Sequence, residues 1–197
     1  ILDIGTGASC IYPILGNKEY GWRFVATEIV ESSLDSAEQI LKKNNLSSVI
    51  ELKFQSNPEY IFKDIIKPED KFSASICNPP FYKSEAEAKQ HNVKKLRNLK
   101  LSKTNSGRNF GGIPTEPIYR GGEKAFLHNY LYQSSLFKNN CFWYTSLVSN
   151  KELIKNIKSS LLKLGATEIK IIPMHLGNKI SRVVAWTFLD SKERTDF

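Results

Sequence analysis

The hydrophobic pattern along the chain alternates between β-rich runs and amphipathic helical runs. Five short runs rich in β-branched and aromatic residues predict strands: ILDI (1–4), WRFVATEI (22–29), VIELKF (49–54), FSASIC (72–77) and CFWYTSLVS (141–149). Apolar residues at helical spacing predict three helices, over 32–45, from Lys124 to Phe137 and from Asn150 to Gly165. Serines are available to cap the first helix, and the last begins with an asparagine cap and stops at a glycine. Alternating strands and helices predict an α/β fold with a mostly parallel, doubly wound sheet.

The pattern changes near the C-terminus, where two β-rich runs follow each other without a helix between them. TEIKIIPM (167–174) and RVVAWTFLD (182–190) are joined by a loop that contains Gly177 and Asn178. These runs predict a closing β-hairpin, which makes the last strand antiparallel to its neighbour. With the hairpin included, we expect a seven-stranded sheet.

Composition narrows the class of protein. The chain has 197 residues, 41% of them hydrophobic and 24% charged, which suits a single domain over residues 1–197. No apolar run approaches the roughly 18 residues of a membrane span, and no signal-like segment opens the chain, so we expect a soluble, cytoplasmic protein without membrane contact. Three cysteines without a CxxC pair, and three histidines without ligand spacing, predict neither a disulfide framework nor a metal site.

The first predicted strand is unusually short. Strands usually have about five residues, whereas only Ile1 and Leu2 precede the aspartate of the turn that follows. We therefore expect the sequence to be a fragment that lacks an N-terminal portion.

The positive charge is concentrated in one segment. The net charge is +8, which favours a polyanionic partner such as a nucleic acid. Residues 83–112 form a polar stretch that ends in Gly-Gly, and we interpret it as a basic substrate loop; a solvated, disordered loop is the alternative. The predicted RNA-binding residues are Lys83, Lys94, Lys95, Arg97, Lys100, Lys103 and Arg108.

A glycine turn follows the first strand. In Asp3-Ile4-Gly5-Thr6-Gly7-Ala8-Ser9, the glycines let the backbone come close to a ligand where a Cβ would collide. Glu28 ends the second strand about 20 residues further on, the position that binds a ribose hydroxyl in nucleoside sites. The turn lacks the third glycine of a dinucleotide site, because Cys10 stands there. S-adenosylmethionine is therefore favoured over NAD, while a phosphate site or a purely structural turn stays open.

Asn78-Pro79-Pro80-Phe81 follows the fourth predicted strand. Ligands of open α/β sheets gather beyond the carboxyl ends of the strands, so Asn78 should lie beside Gly5 and Glu28. The Asn78 carbonyl and a proline carbonyl can accept both hydrogens of an exocyclic amine, and Phe81 can stack on its ring. This corner is therefore predicted to hold a flat, amino-bearing ring, with a proline-rich turn as the alternative.

These motifs occur in an order that resembles class I methyltransferases that modify exocyclic amines. More specifically, the chain resembles the bacterial 23S ribosomal RNA adenine-N6 methyltransferase family, to which a eukaryotic family acting on U6 small nuclear RNA is related. The likeness runs from Ile1 to about Asp190 and rests on LDIGTGASCIYPILG, EYGWRF, CNPPF, NFGG, GGE, WYTSLVS and RVVAWTF.

The resemblance implies a Rossmann-like class I fold with S-adenosyl-L-methionine as donor and S-adenosyl-L-homocysteine as product. It implies one adenosine of 23S ribosomal RNA as the target, and a further N-terminal RNA-binding segment. We expect a monomer that acts on naked 23S RNA or on a large-subunit assembly intermediate. The implied catalytic residues are Asn78, Pro79, Pro80 and Phe81. The implied cofactor-binding residues are Asp3, Gly5, Thr6, Gly7, Ser9, Glu28 and Asn78. A further cofactor contact is expected near Gln55 to Pro58.

Two alternatives remain at this point. The corner also suits a methyltransferase for protein glutamine or DNA adenine, although Phe81 and the basic loop favour a nucleic acid. A nucleic-acid-binding scaffold without turnover is the second alternative. Four residues are candidates for shaping the crevice, with core packing favoured for the two tryptophans: Arg182, Trp143, Tyr144 and Trp186.

Overall fold

The computed structural model of the chain describes residues 1–80, 119–176 and 179–197. Within these ranges the chain forms seven strands and five helices. In chain order they are β1 (Leu2–Ile4), α1 (Ile11–Tyr20), β2 (Phe24–Glu28), α2 (Glu31–Lys43), β3 (Ile50–Phe54), β4 (Phe72–Cys77), α3 (Gly122–Ser134), β5 (Cys141–Val148), α4 (Leu153–Leu164), β6 (Glu168–Leu176), β7 (Lys179–Thr187) and α5 (Ser191–Asp196).

The strands form one seven-stranded sheet in the order β3-β2-β1-β4-β5-β7-β6. The first five strands of this order pair in parallel. β7 is antiparallel to both of its neighbours, β5 and β6. The predicted α/β fold, with a mostly parallel sheet and a C-terminal hairpin, is confirmed. Gly177 and Asn178, which join the two hairpin strands, lie outside the described residues.

One apolar cluster packs α1 and α2 against the parallel half of the sheet. Ala37 and Leu41 on α2 are buried together with Phe24 and Ile50 on β2 and β3. Gly16 lets α1 come close to the sheet, since a Cβ there would lie 2.5 Å from Cζ of Phe24. This close approach packs the second half of α1 against the start of β2.

A second, aromatic cluster lies under the antiparallel half of the sheet. Trp186 and Tyr144 are fully buried, and their rings stack with centroids 6.0 Å apart. The Trp186 indole donates a hydrogen bond to Ser134 Oγ at 3.1 Å, which satisfies its one polar atom. Trp143 is half-buried, with Lys170 Nζ 4.6 Å from the centre of its ring. Core packing is thus confirmed for Trp186.

Several local predictions were wrong. Helix α1 was not predicted, because its apolar residues form no single stripe and Pro13 interrupts the pattern. The helix tolerates Pro13 because the N–H groups of a first helical turn have no partner within the helix. The expected serine cap of α2 is absent, as Val30 occupies that position without a side-chain cap. Asn150 does not cap α4 but accepts the Glu152 N–H in a tight turn, while Gly165 ends that helix as predicted, with φ 90°.

The chain divides into two compact units. The larger comprises Ile1–Pro79 with Asn129–Phe197, and the smaller comprises Pro80–His128. In the described part of the smaller unit, the Tyr119 ring meets the Phe126 ring edge-on at 5.3 Å. The proposal of one domain over residues 1–197 stays a prediction.

Among the described residues, none of the helices is both long enough and apolar enough to span a bilayer. In the same parts of the chain, no group of three or more His, Cys, Asp and Glu side chains is arranged to hold a metal ion.

Candidate active site

Three strand ends meet at one edge of the sheet. Ile4 at the end of β1 is in register with Thr27 on one side and with Cys77 on the other. The residues that follow, Gly5, Glu28 and Asn78, therefore leave adjacent strands at the same edge, about 5 Å from strand to strand. The sheet thus brings together the three positions that were expected to share one crevice.

The glycine turn is anchored to β2 through its backbone. Gly5 and Thr6 both donate their N–H groups to the Thr27 carbonyl, at 3.0 and 2.9 Å. Gly5 and Gly7 have φ values of 73° and 67°, which glycine adopts without strain. A Cβ on either residue would meet no atom within 4 Å in the part of the chain that the structure describes, so the backbone faces open space there. Thr27 was not predicted, because its role is a backbone carbonyl.

Glu28 is buried and holds three backbone N–H groups. Its Oε2 accepts from Gly7 at 2.9 Å, and its Oε1 accepts from Ile29 at 2.7 Å and Val30 at 3.0 Å. A carboxylate offers about four acceptor positions, so roughly one is left for a ligand hydroxyl. The carboxylate also satisfies the N–H groups of the two residues just before α2.

Asp3 is a buried carboxylate without a hydrogen-bond partner. The residue is 1% exposed, and neither of its side-chain oxygens has a partner among the described residues. Burial, with a smaller contribution from the charge of Glu28, raises its pKa from 3.8 to about 6. The nearby Thr6 hydroxyl acts in the opposite direction, although it donates its hydrogen bond to Cys10 Sγ and not to Asp3. An unpartnered acidic group of this kind suits a cationic ligand group such as an ammonium.

Asn78 and Pro79 end the larger unit at the carboxyl end of β4. Asn78 is exposed and Pro79 is buried, so the amide is presented from a fixed backbone. Pro80 opens the smaller unit. Phe81 lies outside the described residues, as do the predicted RNA-binding residues Lys83, Lys94, Lys95, Arg97, Lys100, Lys103 and Arg108.

Among the remaining candidates, Ser9 is exposed on the glycine turn, and Thr6 is buried with its hydroxyl donating to Cys10 Sγ at 3.4 Å.

Two cysteines near this edge, Cys10 and Cys77, are buried free thiols. Burial, followed by the charge of Asp3, raises the pKa of Cys77 well above its ordinary value, although it directly precedes Asn78. Burial raises the pKa of Cys10 as well. Because the thiolate is the reactive form, covalent catalysis through either thiol is disfavoured at neutral pH.

The loop after β3 is held by glutamine side chains. Gln55 donates to the Lys63 carbonyl at 2.9 Å and accepts from the Asn57 N–H at 3.0 Å. Gln133 on α3 accepts from the Ile61 N–H at 2.8 Å and donates to the Glu59 carbonyl. Both polar atoms of the Gln55 side chain therefore make hydrogen bonds within this loop. A cofactor contact near Gln55 to Pro58 stays a prediction.

Side chains connect β4 to β5 where their paired register ends. The last register pair is Ala74 with Trp143. Beyond this pair, Thr145 Oγ1 donates to the Ser75 carbonyl at 2.7 Å, and Ser75 Oγ lies 2.8 Å from Tyr130 Oη. These hydroxyl groups support the end of β4 immediately before Asn78. Arg182 lies on β7 beside Val148, at the carboxyl end of β5.

A known protein family and several individual proteins match most of this chain in sequence. A family model described as RNA methyltransferase matches residues 1–190. The chain is 43% identical to the ribosomal RNA large subunit methyltransferase F of Shewanella woodyi, over 98% of this chain and 54% of that protein. It is 44% identical to the protein of the same name from Aeromonas salmonicida, over 96% and 60% respectively. The chain thus spans little more than half the length of these relatives.

Solved structures give the same picture of the fold. The catalytic domain of hMettl16, in complex with the MAT2A 3'UTR hairpin 1, is 32% identical with a TM-score of 0.78, and the match covers 96% of this chain and 64% of that one. The N-terminal domain of human METTL16, in complex with SAH, is 27% identical with a TM-score of 0.72, covering 96% and 61%. The predicted class I methyltransferase fold is thereby confirmed.

Proposed function

Because the chain belongs to this family of RNA methyltransferases, we propose that it transfers a methyl group from S-adenosylmethionine to the exocyclic N6 of one adenosine in 23S ribosomal RNA. The observation that carries the proposal is the position of Asn78, which leaves β4 beside the glycine turn after β1, while Glu28 ends β2 on the other side of β1. Relatives named as methyltransferases of large-subunit ribosomal RNA support the choice of substrate. Such a substrate would place the reaction in the bacterial cytoplasm.

The residues at the strand ends fit the donor. The unpartnered Asp3 carboxylate suits the ammonium of its methionine part, and the open backbone at Gly5 and Gly7 leaves room for that part to approach closely. Glu28 retains acceptor capacity for a ribose hydroxyl. When bound, S-adenosylmethionine supplies an electrophilic methyl group. A structural neighbour in complex with SAH, the product of such a donor, supports this assignment.

Asn78 would act on the target base. Its carbonyl oxygen and a neighbouring proline carbonyl accept the two hydrogens of the exocyclic amine, which holds the nitrogen and directs its lone pair away from the ring. The reaction then depends on positioning and on fixed dipoles, without a covalent enzyme intermediate. The un-ionised thiol of Cys77 is consistent with this mechanism. We further propose that Phe81 stacks on the target base and that basic residues within 83–112 contact RNA phosphates.

Methyl transfer to defined substrates tests the proposed function. Labelled S-adenosylmethionine would be incubated with protein-free 23S RNA, DNA of matched sequence and a glutamine-containing peptide, using this chain and the complete gene product. Nucleoside mass spectrometry should detect N6-methyladenosine in the RNA alone. Product from the complete gene product only would assign RNA capture to residues outside this chain. Methylated DNA or peptide, or cofactor binding without any methylated product, would contradict the proposal.

Glu28→Gln should weaken cofactor binding. The substitution keeps the shape but replaces one acceptor oxygen with an NH2 group, which faces backbone N–H donors at Gly7 or at Ile29 and Val30. Hydrogen bonds to charged groups contribute about 1.5–3 kcal/mol, so we expect the Kd for S-adenosylhomocysteine to rise about ten- to a hundredfold in calorimetric titration. The control is Glu38→Gln, which removes only an exposed pair with Lys42. Equal affinities for both variants would contradict a role for Glu28.

A further inference from the structure

Two aromatic side chains, Tyr20 and Trp22, are stacked on each other at the surface of the chain. Their ring centroids lie 4.7 Å apart, and the ring planes are inclined by 25°. Tyr20 is 69% exposed and Trp22 is 44% exposed, although tryptophan is usually a largely buried residue. Both belong to EYGWRF (19–24), one of the stretches that carry the family resemblance. Neither belongs to the candidate active site or to the apolar cluster under α1 and α2.

The end of α1 holds this pair in place. Gly21 lies between the two aromatic residues and ends the helix with φ 68°, and its N–H donates to the Asn17 carbonyl at 2.8 Å. The Asn17 side chain donates to the Trp22 carbonyl, also at 2.8 Å. The Trp22 ring packs beside the bare backbone of Gly16, where a Cβ would lie 3.3 Å from Cε3 of that ring. The stacked rings are therefore presented from a fixed backbone.

The surroundings of the pair are basic. Arg23 follows Trp22 and donates to the Ser48 carbonyl at 3.3 Å, which places the pair beside the turn between α2 and β3. The exposed charged side chains of residues 17–23 and 42–48 are Lys18, Glu19, Arg23, Lys42 and Lys43. Lys42 forms an ion pair with Glu38, and the charge that remains is positive. We call Tyr20, Trp22 and Arg23 together the amino-edge surface, because they immediately precede or begin the approach to β2.

This combination of groups suits an unpaired base of an RNA. Bases stack on exposed aromatic rings whatever their sequence, and neighbouring cations attract the phosphates on either side. Proteins recognise folded RNA largely through such unstacked bases in loops and bulges. The amino-edge surface lies at the opposite end of β2 from Glu28, about 20 Å away along the strand. A base stacked on Tyr20 is therefore not the base that Asn78 would hold.

We propose that the amino-edge surface is a second RNA contact, on which an unpaired base of the substrate RNA stacks at a distance from the target adenosine. The inference rests on the proposed function only in that the substrate is an RNA. The contact contributes affinity and orientation and takes no part in methyl transfer. Its loss should therefore raise the Kd and KM for RNA and leave kcat and cofactor binding unchanged.

Tyr20→Ala tests the proposal in the complete gene product. Stacking of one base on one aromatic ring has a large effect on affinity, so the Kd for protein-free 23S RNA should rise about tenfold. The kcat at saturating RNA and the Kd for S-adenosylhomocysteine should stay within about twofold. Tyr20→Phe keeps the ring and should bind RNA like the unmodified protein. The matched control is Tyr132→Ala, which removes a 53% exposed tyrosine on α3 and should leave the RNA affinity unchanged.

The fluorescence of Trp22 gives a readout that does not depend on turnover. Its signal is the difference between the unmodified protein and Trp22→Phe, and acrylamide should quench it in the free protein and much less in the RNA complex. Protection of Trp22 without RNA would show that another part of the gene product covers the pair, and would overturn the inference. Unchanged RNA affinity in folded Tyr20→Ala would overturn it as well. If RNA is bound but not methylated, the proposed function fails, while the RNA affinity of Tyr20→Ala and the Trp22 signal still decide this inference.

Discussion

Replacing Asn78 with alanine is expected to lower kcat for methyl transfer to RNA by about a thousandfold, the size of effect seen when a fixed polar group is removed from a reacting centre. Asn78 is exposed at the end of β4, so the substitution leaves the packed sheet beneath it intact. We therefore expect an unchanged melting temperature, and a Kd for the cofactor product that changes far less than kcat does. Single-turnover kinetics with saturating donor would measure the chemical step directly.

Two further substitutions sharpen this experiment. Asn156→Ala changes an exposed asparagine on α4 and should leave kcat unchanged. Asn78→Asp keeps acceptor oxygens at the site and should retain more activity than Asn78→Ala, since the amine still finds an acceptor. A folded Asn78→Ala variant that turns over at a near-normal rate would exclude the proposed role of this amide.

Asp3→Asn is expected to reduce the affinity for S-adenosylhomocysteine about a hundredfold at pH 7. It is also expected to remove the contribution of Asp3 to the pH dependence of the free energy of unfolding. The carboxyl is buried without a partner, and burial raises its pKa from 3.8 to about 6. Between these two values the native state binds a proton more tightly than the unfolded state. The free energy of unfolding that Asp3 contributes therefore falls as the pH rises from about 4 to 6.

The expected size follows from the shift of the pKa. A pKa raised from 3.8 to about 6 corresponds to about 3 kcal/mol, so the unliganded protein should lose that amount of stability, relative to Asp3→Asn, between pH 4 and pH 7. Cofactor affinity should show the opposite trend, because an ammonium group pairs with the ionised carboxylate. It should fall by up to about tenfold for each pH unit below 6 in the unmodified protein, and much less in the variant.

Urea denaturation and calorimetric titration at several pH values would measure both effects. Asp35→Asn, an exposed position on α2, is the matched control, and it should follow the unmodified protein in both measurements. Parallel stability curves for Asp3→Asn and the unmodified protein would show that Asp3 is not a buried, unpartnered acid. An unchanged affinity would show that the carboxylate does not meet the donor.

The elements that could be predicted from sequence are those in which local pattern and packing agree. Strand β4 was predicted with its actual bounds, because its apolar residues end sharply at a proline pair. The helix α1 was missed, since Ile11 and Leu15 remain exposed in the structure and form no buried stripe with Gly16. Helix α5 was also missed, although Asp190 and Glu193 form a capping box that the sequence displays.

The same distinction applies to the site. Gly5, Glu28 and Asn78 were predictable because each follows a strand, and strand ends converge in any open parallel sheet. Thr27 was not, since it acts through its backbone carbonyl. Ser75 and Thr145 were not predictable either, because their role depends on the register at which β4 meets β5.

The strand order has a consequence for how the protein gains activity as it folds. β1 pairs with β2, a near neighbour in the chain, and on its other side with β4, so that Leu2 meets Ser75. Pairings between distant segments form late, because closing a long loop costs entropy before any stabilising contact can form. Helices and the β1–β2 pair can therefore exist before Asn78 has reached Gly5. During refolding, recovery of catalysis should lag behind recovery of helical circular dichroism.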